Sequence, residues 1–245
     1  AGGALLGYYP HVKQNPFQQM LYSASFEKGF ACFDAHSPAE FTDIDTPIPM
    51  VAHYHWLFRV MRDAKNAKDA AHKAGVFLEH VHAQKRAGRT ILWTVHNIIS
   101  HGSKYPDEEA SLRGEMAKLA DHIHIMNADT VTLCMPYYDI PTEKCFYVPH
   151  PSYKGVYGDY VSKEDARQGF GLKREDKVFL LFGHMMPQKG GVRFLSQLDA
   201  LQNALDGKSR ILIAGQSGDA DYMAQVMDLI GGRDDVQLHA GRVDD

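Results

Sequence analysis

The chain has 245 residues, 44% of them hydrophobic, which is ample for a packed core and falls between one large domain and two ordinary ones. With 26 basic against 30 acidic residues the formal charge is −4, so the overall balance gives no reason to expect broad nucleic-acid binding. No apolar run is long enough to span a bilayer, and Cys32, Cys134 and Cys145 lack CxxC spacing and read as reduced thiols in a cytosolic protein.

The opening AGGALLGYYP has no basic region ahead of a long apolar stretch and does not read as a secretory signal; it also lacks an initiator Met. Short apolar runs then alternate with segments of helical period, the pattern of parallel sheets covered by helices. ALLGYY (4–9) predicts the first strand. PFQQMLYSASFEKG (16–29) predicts a helix, with Pro at its start and Gly at its end. IPMVAHYHW (48–56) and TILWTVHN (90–97) predict two more strands, separated by a polar-faced helix over about 64–87 that Gly88 stops. A further helix is expected over 107–119, its first turn carrying acidic residues that favour the dipole. HIHIMN and CFYVPH read as the last strands of this half.

The segment 151–165 is rich in turn residues and has no apolar period, which places a domain boundary near 155 and gives domains 1–155 and 156–245. KVFLLFG (177–183) restarts the α/β pattern, followed by a helix over 190–205. RILIAGQ (210–216), a helix over 220–230, and VQLHAGRV (236–243) complete it. Three parallel strands with an open edge make a poor independent half-domain. About a hundred further residues, the balance of an ordinary α/β domain, are therefore expected to be missing from the second domain.

In parallel sheets ligands bind beyond the carboxyl ends of the strands. LLFGHMMPQKGG (180–191) leaves one such strand, turns at Gly183 and reaches a predicted helix start at Gly190, with Lys189 beside it. Free amides at a helix start and a nearby ammonium group can hold a diphosphate and stabilise its charge as a glycosidic bond breaks. An ordinary strand–turn–helix with a solvated lysine would read the same way. Neither GxxxxGK[ST] nor GxGxxG occurs in the chain.

This loop resembles the donor-binding loop of retaining glycosyltransferases of family four, in which an Arg and a Lys stand five positions apart ahead of Gly. Lys189 fills the Lys position, while His184 stands where the Arg is usual. YYPHVKQNPFQQ, HYHW, TVHNIISH, VPHPSYKGVYG, ILIAGQ and LHAGRV resemble other segments of the same family in the same order, over nearly the whole chain. The resemblance implies an α/β fold of GT-B type, two Rossmann-like parallel-sheet domains facing each other across a cleft, the C-terminal one truncated here. It implies hexosyl transfer from a nucleoside-diphosphate sugar to a hydroxyl acceptor, with retention and with no cofactor or metal beyond that co-substrate. The acceptor would be a glycan or a lipid-linked polysaccharide precursor, met in the cytoplasm or peripherally on the inner membrane face. The family's paired glutamates belong to a segment beyond Asp245, so the chain as given is expected to be weak or inactive.

By the same resemblance His96 and Lys189 are the catalytic candidates, His96 orienting the transferred sugar by a bond to a hydroxyl or to the leaving oxygens. Gly183, His184, Gly190, Gln216, Arg242 and Val243 join Lys189 in donor binding, with main-chain atoms near Arg242 and Val243 meeting the nucleobase. Asn15, His53, His55, Asn97, His101 and Tyr153 are candidates for the acceptor side of the cleft. Plainer readings stand beside these: Asn15 as a helix cap, Tyr153 as a packing residue, and His96 as a buried histidine bonded to backbone.

Strand alternation puts His53 and His55 on one face. The pairs His80/His82 and His122/His124 repeat the spacing, but nothing resembles HExxH or a Cys/His zinc pattern. Two other functions remain open: a scaffold or nucleotide/sugar-binding protein that kept the fold without the chemistry, and a metal-dependent hydrolase built on the histidines.

Overall fold

The computed structural model describes residues 3–13, 15–158 and 160–241. The chain divides into two compact units, Ala1–Tyr153 and Lys154–Asp245. In the first, β1 (Ala4–Tyr9), α1 (Phe17–Leu21), β2 (Phe30–Asp34), α2 (Glu40–Asp43), β3 (Met50–Tyr54), α3 (Ala67–Arg86), β4 (Thr90–Val95), α4 (Pro106–Leu119), β5 (His122–Ile125), α5 (Thr130–Cys134) and β6 (Cys145–Tyr147) follow one another. The strands form one sheet in the order β2-β1-β3-β4-β5-β6, parallel throughout. Strand order reverses at β1 and β3, and an open α/β sheet has its crevice at the carboxyl ends of such a switch point.

The two faces of this sheet differ in chemistry. Ala52, Tyr54, Ile91, Trp93, Val95 and Ile123 point to one face and are buried in a cluster with Ala70, Phe77 and Val81 of α3 and Leu112 and Met116 of α4. α3 presents this stripe because its apolar residues recur at helical spacing. Its start is set by Asn66, whose side chain accepts from the Asp69 amide, while Asp69 in turn accepts from the Lys65 amide. It ends at Gly88, in the left-handed region at φ +74°. The opposite face carries His53, Thr94 and His124, all buried.

The second unit holds α6 (Lys163–Gly169), β7 (Lys177–Phe182), α7 (Gly191–Leu195), α8 (Leu198–Ala204), β8 (Ser209–Gly215), α9 (Ala220–Ile230) and β9 (Val236–Ala240). Its sheet runs β7-β8-β9, again parallel. Leu195, Leu198, Ile211, Ile213, Tyr222 and Val226 form its core.

Several elements differ from expectation. The helix expected over 16–29 stops at Leu21, and only a short 3-10 turn follows at Phe26–Lys28. Ser23 and Ser25 donate their hydroxyls to the Met20 and Tyr22 carbonyls, offering the backbone an alternative to continued helix. The helix expected over 190–205 breaks between α7 and α8, where the Ser196 hydroxyl bonds the Arg193 carbonyl. β2, α2, α5 and α6 are additional to the predicted elements. Predicted strands such as 48–56 and 90–97 are trimmed at their ends by one to a few residues, the ordinary uncertainty of a boundary read from pattern.

Candidate functional site

At the carboxyl ends of β3 and β4 the side chains of His55 and His96 meet, Nδ1 of the first lying 3.0 Å from Nε2 of the second. The alternation that sends Trp93 and Val95 into the core sends Thr94 and His96 to the other face. His96 stacks on Trp56, with ring centroids 4.2 Å apart, and meets the edge of Phe17 at 4.9 Å. Phe17 is fully buried and also touches His55, Trp56 and His150.

Behind this tip the polar face continues inward. The Tyr22 hydroxyl lies 2.7 Å from His53 Nδ1 and 2.7 Å from His55 Nε2. His53 Nε2 lies 2.7 Å from the Thr94 hydroxyl, which lies 3.1 Å from His124 Nδ1; His124 Nε2 bonds the Val148 carbonyl at 2.9 Å. Burial disfavours imidazolium. It lowers His53 and His55 well below the ordinary histidine value, assisted by repulsion among the rings, and lowers His124 as well. His96 falls to about 3, through burial first and then the charges of His124, His150 and Arg113. All four rings are therefore neutral at pH 7.

The loops on either side are held by buried polar groups. Asn15 accepts from the Phe17 amide at 3.0 Å, closing a turn ahead of α1, and from the Tyr153 hydroxyl at 2.8 Å. Gln18 is buried and ties down the loop after β1, donating to the Pro10 carbonyl and accepting from the Val12 amide. After β4, Arg113 donates to the Asn97 carbonyl at 2.8 Å and pairs with Glu109, which accepts from both the amide and the hydroxyl of Ser100. Burial pushes the Glu109 carboxyl up, but bonds from Ser100 and the Arg113 charge outweigh it and hold the group below its ordinary value.

The structure thus brings His53, His55 and His96 into one array, and joins Asn15 to Tyr153 beside Phe17. Asn97 contributes its carbonyl to the Arg113 anchor. His101 is exposed and lines a separate cavity of about 160 Å³ with Arg62, Lys104 and Tyr105, apart from the His96 array. Tyr22, Thr94, His124, Phe17 and Trp56 are site residues that the sequence reading missed as such. The period-two histidines signalled the array; nothing local signalled Tyr22. Among the described residues no group of three or more His, Cys, Asp or Glu side chains is arranged to hold a metal ion.

In the second unit, β7 ends where the Gly183 amide bonds the Ala214 carbonyl at 2.9 Å and the Met185 amide bonds the Gln216 carbonyl at 2.8 Å. Gly215 is required here, because a Cβ would lie 1.8 Å from the Gly183 carbonyl oxygen and its φ is +151°. Gly190 turns the chain into α7 at φ +75°. Gly183, His184, Lys189 and Gly191 line a cavity of about 250 Å³ with Leu181 and Tyr222, and His184 and Lys189 are exposed. The helix start that Lys189 flanks belongs to a five-residue helix rather than the long one expected. Gln216 enters through its main chain; Arg242 and Val243 lie outside the described residues.

Two parallel-sheet units with polar groups gathered at strand carboxyl ends define an α/β fold of the GT-B type. Solved structures share that fold. HepE of Anabaena, in complex with UDP and glucose, is 16% identical, with a TM-score of 0.59 over 98% of this chain and 70% of its own. The same protein with UDP-glucose matches at 14% identity and a TM-score of 0.59, over 98% of this chain and 69% of its own. UDP-GlcNAc 2-epimerase from Neisseria meningitidis, bound to UDP-GlcNAc, is 10% identical, with a TM-score of 0.53 over 98% of this chain and 72% of its own. No protein-family model and no curated protein sequence matches the chain. No helix among the described residues is long and apolar enough to cross a membrane.

Proposed function

We propose that the chain is a glycosyltransferase that moves a hexosyl unit from a nucleoside-diphosphate sugar to a hydroxyl acceptor, with retention at the anomeric carbon. The observation that supports this most is the likeness to HepE, solved with UDP-glucose, over 98% of the chain. The strand-end groups fit that chemistry. Lys189, the amides at the start of α7 and His184 bind the diphosphate and stabilise the charge on it as the bond to the sugar breaks. Gly183 and Gly190 let the main chain approach it closely. His96, fixed between Trp56, Phe17 and His55, orients the transferred sugar. Asn15 and Tyr153 serve the acceptor side, with the buried His53 and His55 supporting it from behind His96 and Asn97 through its anchored loop, whereas His101, on its separate cavity, is left out of this scheme. The acceptor is a glycan or polysaccharide precursor met at the inner membrane face. No cofactor beyond the sugar donor is required in this scheme.

Calorimetric titration with UDP, GDP and their sugars tests it, followed by product analysis with a hydroxyl acceptor. Saturable binding of one nucleotide series, weakened at least tenfold by Lys189→Ala, is expected. Absence of saturable heat with every one of them overturns the reading in favour of a scaffold. A second reading is a sugar-nucleotide epimerase, favoured by the likeness to the Neisseria enzyme over 98% of the chain. It predicts conversion of UDP-GlcNAc in the absence of any acceptor.

A further inference from the structure

Six hydrogen bonds join Val148, His124, Thr94, His53, Tyr22, His55 and His96 in an unbranched line through the first unit. A carbonyl oxygen can only accept, so at the Val148 end His124 must donate from Nε2. A neutral imidazole carries one proton, which leaves His124 Nδ1 as an acceptor, and the Thr94 hydroxyl donates to it. With its proton committed, the Thr94 oxygen accepts from His53 Nε2. His53 Nδ1 then accepts from the Tyr22 hydroxyl, whose oxygen accepts from His55 Nε2. His55 Nδ1 accepts from His96 Nε2. The line ends at His96 Nδ1, which carries a lone pair and has no hydrogen-bond partner among the described residues. Every proton in the line points the same way.

The one-proton condition at each ring is independently met, since burial holds all four histidines below their ordinary value. Reversing the line would set a histidine lone pair against the Val148 carbonyl oxygen, two acceptors facing each other at 2.9 Å in a part-buried site.

We propose that Tyr22, His53, His55, Thr94 and His124 are positioning residues that set the tautomer of His96, so that its Nδ1 acts only as an acceptor and takes a ligand hydroxyl rather than a phosphate oxygen. The choice of hydroxyl as the ligand group rests on the proposed glycosyl transfer; the tautomer order does not. A deprotonated phosphate oxygen has no proton to offer such a nitrogen, whereas every hydroxyl of a sugar has one. His96 therefore discriminates between a sugar hydroxyl and a phosphate oxygen of a nucleotide sugar.

Nitrogen-15 NMR of the full chain at neutral pH reads the tautomers directly, with His96 assigned by comparison with His96→Ala. The expected result is Nε2-protonated His53, His55, His96 and His124, each with Nδ1 in the unprotonated range. Tyr22→Phe keeps the ring and removes only the hydroxyl, and should return His55 and His96 to mixed tautomers. Thr94→Val should release His53, while Thr94→Ser should restore the wild-type pattern, a difference that packing alone would not produce. A protonated Nδ1 on His96 in the unaltered chain overturns the proposal, as do unchanged tautomers in both Tyr22→Phe and Thr94→Val. Addition of UDP-glucose should shift the His96 Nδ1 resonance toward the hydrogen-bonded range, and UDP alone should not. Binding of UDP-glucose without that shift overturns the hydroxyl assignment. If UDP-glucose does not bind, the same comparison is made with GDP and its sugars; failure of UDP, GDP and all their sugars to bind overturns the glycosyl-transfer reading, while the apo spectra still decide the tautomer order.

Discussion

Replacing Arg113 with Met should destabilise the first unit far more than loss of an ordinary surface ion pair. Arg113 and Glu109 are 2% and 1% exposed, and their closest N–O distance is 2.6 Å. Methionine preserves most of the apolar stem, so the change removes the charge, the 2.8 Å bond to the Asn97 carbonyl and the clamp on Ser100. Leaving one partner of a buried pair uncompensated costs about 3–5 kcal/mol. With a urea slope of about 2 kcal/mol per molar, the unfolding midpoint should fall by roughly 1.5–2.5 M. The assay is specific to this unit, because both tryptophans of the chain, Trp56 and Trp93, lie in it. Intrinsic fluorescence therefore follows its unfolding. Glu109→Leu combined with Arg113→Met removes both charges together and should cost less than Arg113→Met alone, the remainder being the unpaired Ser100 amide and Asn97 carbonyl. A loss below about 1 kcal/mol, the range of exposed pairs, would refute the reasoning. So would a double variant less stable than the single one.

Acid should destabilise the same unit before most carboxylates titrate. Burial depresses His53, His55, His96 and His124 in the folded state, so the unfolded chain binds more protons once pH drops below the ordinary histidine value near 6.5. The stability they contribute is fully present above that pH and declines as pH falls toward about 3, the folded value of His96, by up to about 1.4 kcal/mol per group per pH unit. A fluorescence-monitored midpoint that stays flat between pH 7 and pH 5 would contradict this. In the second unit, Gly215→Ala places a methyl group 1.8 Å from the Gly183 carbonyl oxygen, and backbone must move to relieve it. Circular-dichroism melting should show a lowered transition and UDP affinity should fall at least tenfold; a wild-type melt with unchanged affinity would mean the strand ends are not packed as described.

Elements specified by local signals were legible in the sequence. α3 has its cap at Asn66 and its stop at Gly88, and α9 has Asp219 capping its start and left-handed Gly231 at its end, so pattern and punctuation agree. β1 and β7 are short apolar runs with turn residues beyond them. β2 was not legible. FACFD at 30–34 is only half-buried to exposed, and it forms a strand because β1 accepts it in register, Ala4 opposite Phe30 through Tyr8 opposite Asp34. That pairing is a tertiary fact with no counterpart in the local pattern. The breaks after Leu21 and Leu195 were hidden for a related reason. Ser23, Ser25 and Ser196 are tolerable in a helix, and only in the folded chain do their hydroxyls take up nearby carbonyls.

The site was half legible, and the division has a physical cause. Strands of a parallel sheet buried on both faces read as continuous apolar runs, so polar residues alternating with apolar ones toward the carboxyl ends of β3, β4 and β5 mark a face with another purpose. His53, His55, Thr94, His96 and His124 make that mark, and a buried polar group must find a partner. The sequence therefore announces that a hydrogen-bond network exists. It does not announce its members. Tyr22 lies 31 residues from His53 along the chain, just beyond the end of α1. Its amide still bonds the Gln18 carbonyl at 3.0 Å, so the last turn of α1 sets where its side chain points, and the hydroxyl reaches both rings from there. A helix packed on the polar face of the sheet thus supplies the hydroxyl that joins His53 to His55, and through them determines which nitrogen His96 leaves open, a pairing across 31 residues that no local pattern encodes.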